Sequence, residues 1–213
     1  MNSLSKKLYL IKRFGNSIFT YDCASCGKPV QGKCLCEKCS KELSPSGNYY
    51  NGFACAFHYK GPAKYAMLRY KFSADYKFCF DTLLDWLLVA YEKLGKNNFD
   101  AVIPVSAFGT KETRLSDLTE KFALMANLPF KPELLKKTRK TEKQHDLSAS
   151  ERRVNIAGAF EAEDSVFGKT VLLVDDIFTT GSTVSECANA LYDKGAEKVF
   201  VITILKTIYE KEV

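Results

Sequence analysis

Val171-Leu-Leu-Val-Asp-Asp-Ile-Phe-Thr-Thr-Gly-Ser-Thr183 is the stretch that decides the fold. Its first four residues are uniformly apolar, as a strand buried on both faces requires. The strand delivers Asp175 and Asp176 to its carboxyl end, where α/β sheets bind ligands. Adjacent residues on a strand point to opposite faces, so the two acids do not form a paired-carboxylate unit of the glycosidase kind. Acids at a strand tip suit sugar hydroxyls and a magnesium ion held partly through water. Thr179, Thr180, Gly181, Ser182 and Thr183 then open a helix. Their hydroxyls, the free backbone N–H groups and the positive end of the helix dipole make a phosphate cradle. Gly181 lets the backbone come close without a Cβ in the way. The Gly-x-x-x-x-Gly-Lys spacing of the nucleotide P-loop is absent. Diol-binding acids beside a monophosphate cradle describe a ribose 5-phosphate pocket.

Around this stretch, apolar strands alternate with helical patterns. Strands are expected at Phe53–Tyr59, Asp100–Val105 and Lys198–Leu205. Helices are expected from Pro62 to about Phe72, and over Phe78–Leu94, Ser116–Asn127 and Val184–Lys194. Gly95 and Gly195 act as stops. That order predicts an α/β fold, a parallel sheet with helices on both faces.

Composition agrees with a globular chain. Of 213 residues, 46% are hydrophobic and 26% charged, which excludes collagen-like and largely disordered classes. The longest apolar runs fall well short of the roughly 20 residues of a membrane span. Leu8–Ile11, cut off by Lys12 and Arg13, is too short for a signal core. A cytoplasmic protein is expected.

Five of the eight cysteines lie between Cys23 and Cys39. Cys23-Ala-Ser-Cys26 and Cys36-Glu-Lys-Cys39 are two Cys-x-x-Cys pairs, the spacing of a tetrahedral zinc knuckle. A dithiol redox centre needs only one pair. Four protein ligands leave no open position, so the zinc is structural. Cys34 is an alternative to Cys36 as a ligand. Cys55, Cys79 and Cys187 fall on apolar faces and read as small core residues. His58 and His145 lack partners at metal-ligand spacing.

Charge is uneven along the chain. Residues 1–60 hold nine Lys/Arg against three Asp/Glu, and the remainder is balanced. Residues 1–20 read as a basic amphipathic helix, 21–48 as the zinc knuckle ending in a Ser-Pro-Ser-Gly-Asn linker, and 49–213 as the larger domain. Lysines on the knuckle, with Tyr49, Tyr50 and Phe53 nearby, have the make-up of a surface that tracks single-stranded nucleic acid. The cluster Lys136, Lys137, Arg139, Lys140 and Lys143 has the charge to contact pyrophosphate or a DNA strand. Ordinary solvated surface is the competing reading of both.

The Val171–Thr183 stretch resembles the phosphoribosyl-pyrophosphate (PRPP) motif of the type I phosphoribosyltransferases. Phe178 stands where that motif prefers an aliphatic residue, but an aromatic there is usual in the ComF family of competence-associated proteins. Tyr59-Lys-Gly61 with Leu68 and Lys71-Phe72 is similar to an early element of that family. Arg139-x-Thr141-x-x-Gln144-x-x-Leu147-x-x-x-x-Arg152-x-x-Asn155-x-x-Gly158-x-Phe160 is similar to its central signature. One segment departs: Ser106–Asp117 lacks the family's Arg-Gly-Phe-Asn-Gln string.

The resemblance implies a type I phosphoribosyltransferase-like sheet with an appended four-cysteine zinc module. It implies binding of PRPP or ribose 5-phosphate with Mg2+, with Asp175 and Asp176 as the catalytic acids. Lys71 and Thr179–Thr183 would bind PRPP, and Lys111 and Arg114 would serve the pyrophosphate side. It also implies a role in DNA uptake, with single-stranded DNA and a competence helicase as partners. Two further functions stay open: an active nucleobase phosphoribosyltransferase of nucleotide salvage, and a non-catalytic PRPP-sensing regulator.

Overall fold

The computed structural model describes residues 20–47, 52–95, 97–105, 113–141 and 154–208. The basic helix expected over residues 1–20 falls outside that set, except that Thr20 already belongs to a strand.

The decisive stretch forms β7 (Thr170–Phe178), which pairs with the equally long β8 (Lys198–Lys206). With β3 (Phe53–His58) and β4 (Ala101–Pro104) they make a parallel four-stranded sheet in the order β3-β8-β7-β4. Val171 pairs with Val199 on one side and Ala101 on the other, which places β7 inside the sheet.

Alternation along β7 divides its side chains between two cores. Leu172 and Val174 face α2 (Gly61–Phe72), α3 (Lys77–Leu94) and α4 (Arg114–Ala126), packing in one cluster with Met67, Leu83, Leu87 and Phe122. Val171 and Leu173 face α5 (Ser182–Asp193) and a hairpin of β5 (Leu135–Lys137) with β6 (Phe160–Ala162), alongside Cys187, Leu191 and Ile156. Leu172 and Leu173 are fully buried, and each contributes about 1.5–3 kcal/mol of transfer free energy.

Local signals account for the helix ends. Pro62 sits in the first turn of α2, where its missing N–H costs nothing. α3 ends on Gly95 at φ 84°. Trp86 is buried in α3 and meets Phe57 edge-on at 5.1 Å. Sequence reading missed the β5–β6 hairpin, because three-residue strands carry too little alternation to register. Arg139 secures its base by donating to the carbonyls of Asn155 and Ala157, and Gly158 N–H donates to Glu186.

Before β3 lies a small unit of β1 (Thr20–Asp22), β2 (Pro29–Gln31) and the short helix α1 (Glu37–Lys41). Ties to α2 and α3 hold it in place. Tyr21 stacks on Phe78 at 4.1 Å, Arg69 donates to the Asp22 carbonyl, and Cys34 is disulfide-bonded to Cys79. That bond corrects the expectation of Cys79 as a plain core residue. Cys55 and Cys187 are buried thiols as expected.

Candidate functional site

A cavity of about 1040 Å³ opens at the carboxyl edge of the sheet. Asp175 and Asp176 both line it, although they point to opposite faces of β7, because the cavity straddles the strand tip. Thr179, Gly181 and Thr183 line it next. Thr180 and Ser182 do not; their hydroxyls bond each other at 2.8 Å and stiffen the turn. Gly181 caps α5 at φ 77°. A Cβ there would sit 2.7 Å from the Phe178 ring, so the loop closes over that ring only with glycine. Phe178 is wedged in turn against Phe53, with ring centres 4.5 Å apart. The aromatic in place of an aliphatic residue is therefore a support under the loop.

The acids differ in surroundings. Burial, reinforced by the adjacent charge of Asp176, pushes Asp175 up to about 7. The Asp176 N–H donates to the Asp175 carboxylate at 2.9 Å. Asp176 itself is paired with Lys71 of α2 at 2.6 Å, and Tyr59 stands beside this pair. Burial raises the Tyr59 phenol above its ordinary value.

Cations reach the cavity from several elements. Arg114, the first residue of α4, lines it, but its guanidinium lies over the Tyr76 ring at 4.1 Å and donates to the Tyr70 carbonyl. The Tyr70 hydroxyl donates back to the Arg114 carbonyl. Lys111 lies outside the described residues. Lys64 and Lys137 also line the cavity. The sequence groups Lys137 with a basic surface cluster; the strand pairing of β5 that turns it inward leaves no local signal.

The second site is the cysteine cluster. The Sγ atoms of Cys23, Cys26, Cys36 and Cys39 lie within 4.8 Å of one another, and those of Cys26 and Cys36 are 3.6 Å apart. Four sulfurs about 2.3 Å from one tetrahedral ion sit roughly 3.8 Å apart, so the set fits a metal ion. Gly27 turns at φ 73°, and the Cys36 N–H donates to the Cys23 sulfur at 3.3 Å. Burial pushes the Cys23 thiol up, but N–H groups of Cys26, Cys36 and Ser25 overcome that and hold it at about 6. Burial and the Cys36 thiol push Cys39 up to about 12. Such crowded thiols ionise together only around a cation. Cys34 is bonded to Cys79 and lies outside this set of four.

No helix among the described residues is long and apolar enough to cross a membrane.

Residues 89–212 match the model of the phosphoribosyl transferase domain. The chain is 30% identical over 195 residues to DNA utilization protein YhgH of Escherichia coli O157:H7, spanning 87% of this chain and 84% of that protein. It is 26% identical over 202 residues to Competence protein F of Haemophilus influenzae, spanning 84% of this chain and 87% of that one. Among solved structures, glutamine PRPP amidotransferase of B. subtilis is similar over 64% of this chain and 30% of its own, at 22% identity and a TM-score of 0.45. An adenine phosphoribosyltransferase is similar over 61% of this chain and 71% of its own, at 19% identity and a TM-score of 0.41. On the domain match and the likeness over most of the chain to the YhgH and competence proteins, this chain belongs to the phosphoribosyl transferase domain family, as a ComF-like member of it.

Proposed function

We propose that the cavity binds PRPP or ribose 5-phosphate, and that the protein serves DNA uptake or the handling of single-stranded DNA. The observation that carries the pocket reading is the convergence of Asp175, Asp176, Thr179, Gly181 and Thr183 on one cavity. In this reading Thr179–Thr183 receives the 5-phosphate on main-chain N–H groups and hydroxyls. Asp175 and Asp176 hold the ribose hydroxyls and share the magnesium that accompanies PRPP. Lys71 moves from Asp176 to the pyrophosphate, joined by Lys111 and by Arg114 only if it leaves Tyr70 and Tyr76. The four-cysteine cluster takes structural zinc, and residues 21–48 form a metal module joined to a phosphoribosyltransferase-like domain over 49–213.

Binding is favoured over turnover by the state of Arg114. A departing pyrophosphate needs donors aimed at its developing charge, and the Arg114 guanidinium is already held by Tyr70 and Tyr76. The decisive experiment titrates PRPP with magnesium into the wild type and into Asp175→Asn/Asp176→Asn. Affinity should fall at least ten-fold in the variant; equal affinity removes the pocket. Pyrophosphate release with a panel of nucleobases then separates a binder from an active transferase.

For the DNA role, α2 offers specific support. Tyr65 is 50% and Phe72 77% exposed, with Lys60 and Lys64 on the same segment and no acid within the helix. Exposed aromatics among lysines stack bases and track a backbone. Tyr65→Ala, which leaves the cavity lining intact, should weaken single-stranded DNA binding several-fold without changing PRPP affinity. An unchanged affinity across a salt series would redirect the search to the metal module or to residues 136–143.

A further inference from the structure

The cavity takes cations from two sides, and they are in different states. On the α2 side, Lys71 is neutralised by Asp176 and Lys64 lies over the Tyr59 ring at 5.9 Å. On the opposite side, the β5–β6 hairpin packs on α5 and carries Lys137 inward from the last position of β5. The Lys137 ammonium donates to the Thr141 hydroxyl at 2.7 Å and lies 5.6 Å from the centre of the Phe160 ring. Among the described residues no carboxylate pairs with it. Burial holds it below the ordinary lysine value, and its other charged or titratable neighbours are Cys187, on the second turn of α5, and Arg139.

A phosphate monoester carries about −1.5 to −2 at neutral pH. A helix N-terminus answers with only about half a positive charge, and loop hydroxyls donate hydrogen bonds without neutralising anything. The balance calls for a full cation entering from outside the loop. Lys71 and Arg114 are held by Asp176 and by Tyr70 and Tyr76. Lys137 shares the cavity wall with Gly181, Thr183 and Val184, the start of α5, and has only a hydroxyl and a ring to leave.

We propose that Lys137 is the charge partner of the phosphate monoester on Thr179–Thr183, so that the β5–β6 hairpin, and not the loop alone, selects a phosphorylated ribose. This rests on the pocket reading given above.

The test titrates ribose 5-phosphate, and separately pyrophosphate, into the full-length protein and its Lys137→Met and Lys137→Arg variants. Lys137→Met should bind ribose 5-phosphate about ten-fold or more weakly, and Lys137→Arg within about three-fold of wild type. Pyrophosphate affinity should stay within about two-fold throughout, as Lys71 and Arg114 lie on the α2 side. If the wild type binds no ribose 5-phosphate, the pocket reading itself falls and takes this inference with it. If the wild type binds and Lys137→Met binds equally well, only the role of Lys137 is overturned. Loss of both ligands in Lys137→Met, or no recovery with arginine, also overturns it, since either outcome marks a structural residue.

Discussion

The ammonium of Lys71, one residue from the end of α2, lies 2.6 Å from the carboxylate of Asp176 at the tip of β7. The side chains are 30% and 21% exposed, so the pair is partly screened and contributes no more than about 1 kcal/mol. Its consequence is for binding, because a ligand that claims either group must first separate them. Lys71→Met should therefore leave the melting temperature within about 2 °C of wild type and weaken pyrophosphate binding several-fold. A melting temperature lowered by much more would assign the pair to stability.

Gly181 and Phe178 form a second dependent pair. Alanine at 181 meets two penalties, a left-handed φ of 77° and a Cβ 2.7 Å from the ring. Gly181→Ala should cost about 1–3 kcal/mol in denaturant unfolding. Phe178→Leu in the same chain relieves the contact but not the backbone, so a double-mutant cycle should show partial recovery. Strict additivity would show that the ring does not restrict the loop.

Asp175 gives a pH dependence with a definite sign. Its folded value of about 7 lies above the ordinary carboxylate range, so the folded state favours the protonated acid. Relative stability from this group is intact below about pH 4, and is lost as pH rises to about 7 and beyond. Asp175→Asn should thus be more stable than wild type by about 1–3 kcal/mol at pH 8 and equal to it near pH 4, in metal-free buffer. The opposite trend would mean that the acid is ionised in the folded protein.

The Cys34–Cys79 disulfide closes a separation of 45 residues and joins the small four-cysteine unit to α3. Cross-linking a loop of that size is worth about 2–4 kcal/mol. Reductant should lower the melting temperature of the wild type and have no such effect on Cys34→Ser/Cys79→Ala. That variant should still bind one zinc per chain, whereas Cys36→Ser should lose it. Loss of zinc from the Cys34/Cys79 variant would restore Cys34 as a ligand.

Much of the site is legible in the sequence. An unbroken apolar run before two acids has few structural solutions other than an interior parallel strand. A Thr-Thr-Gly-Ser-Thr turn after it marks a helix start, and the structure brings three of its five residues to the cavity. The paired Cys-x-x-Cys spacing likewise selects Cys23, Cys26, Cys36 and Cys39. The illegible parts share one physical cause. Lys137, Arg114 and Cys34 take their roles from partners distant in the chain or from a three-residue strand, and neither leaves a periodic trace.

The amino-acid sequence alone determined the parallel sheet, the acid-tipped strand edge and the four-thiol cluster, because each depends on residues a few positions apart whose geometry follows from strand, turn and knuckle spacing. Tertiary structure alone decided that Lys71 neutralises Asp176, that Arg114 is held by Tyr70 and Tyr76, that Cys34 joins Cys79 and that Lys137 turns inward. Those four depend on how separate elements pack, and packing is set by the whole core at once.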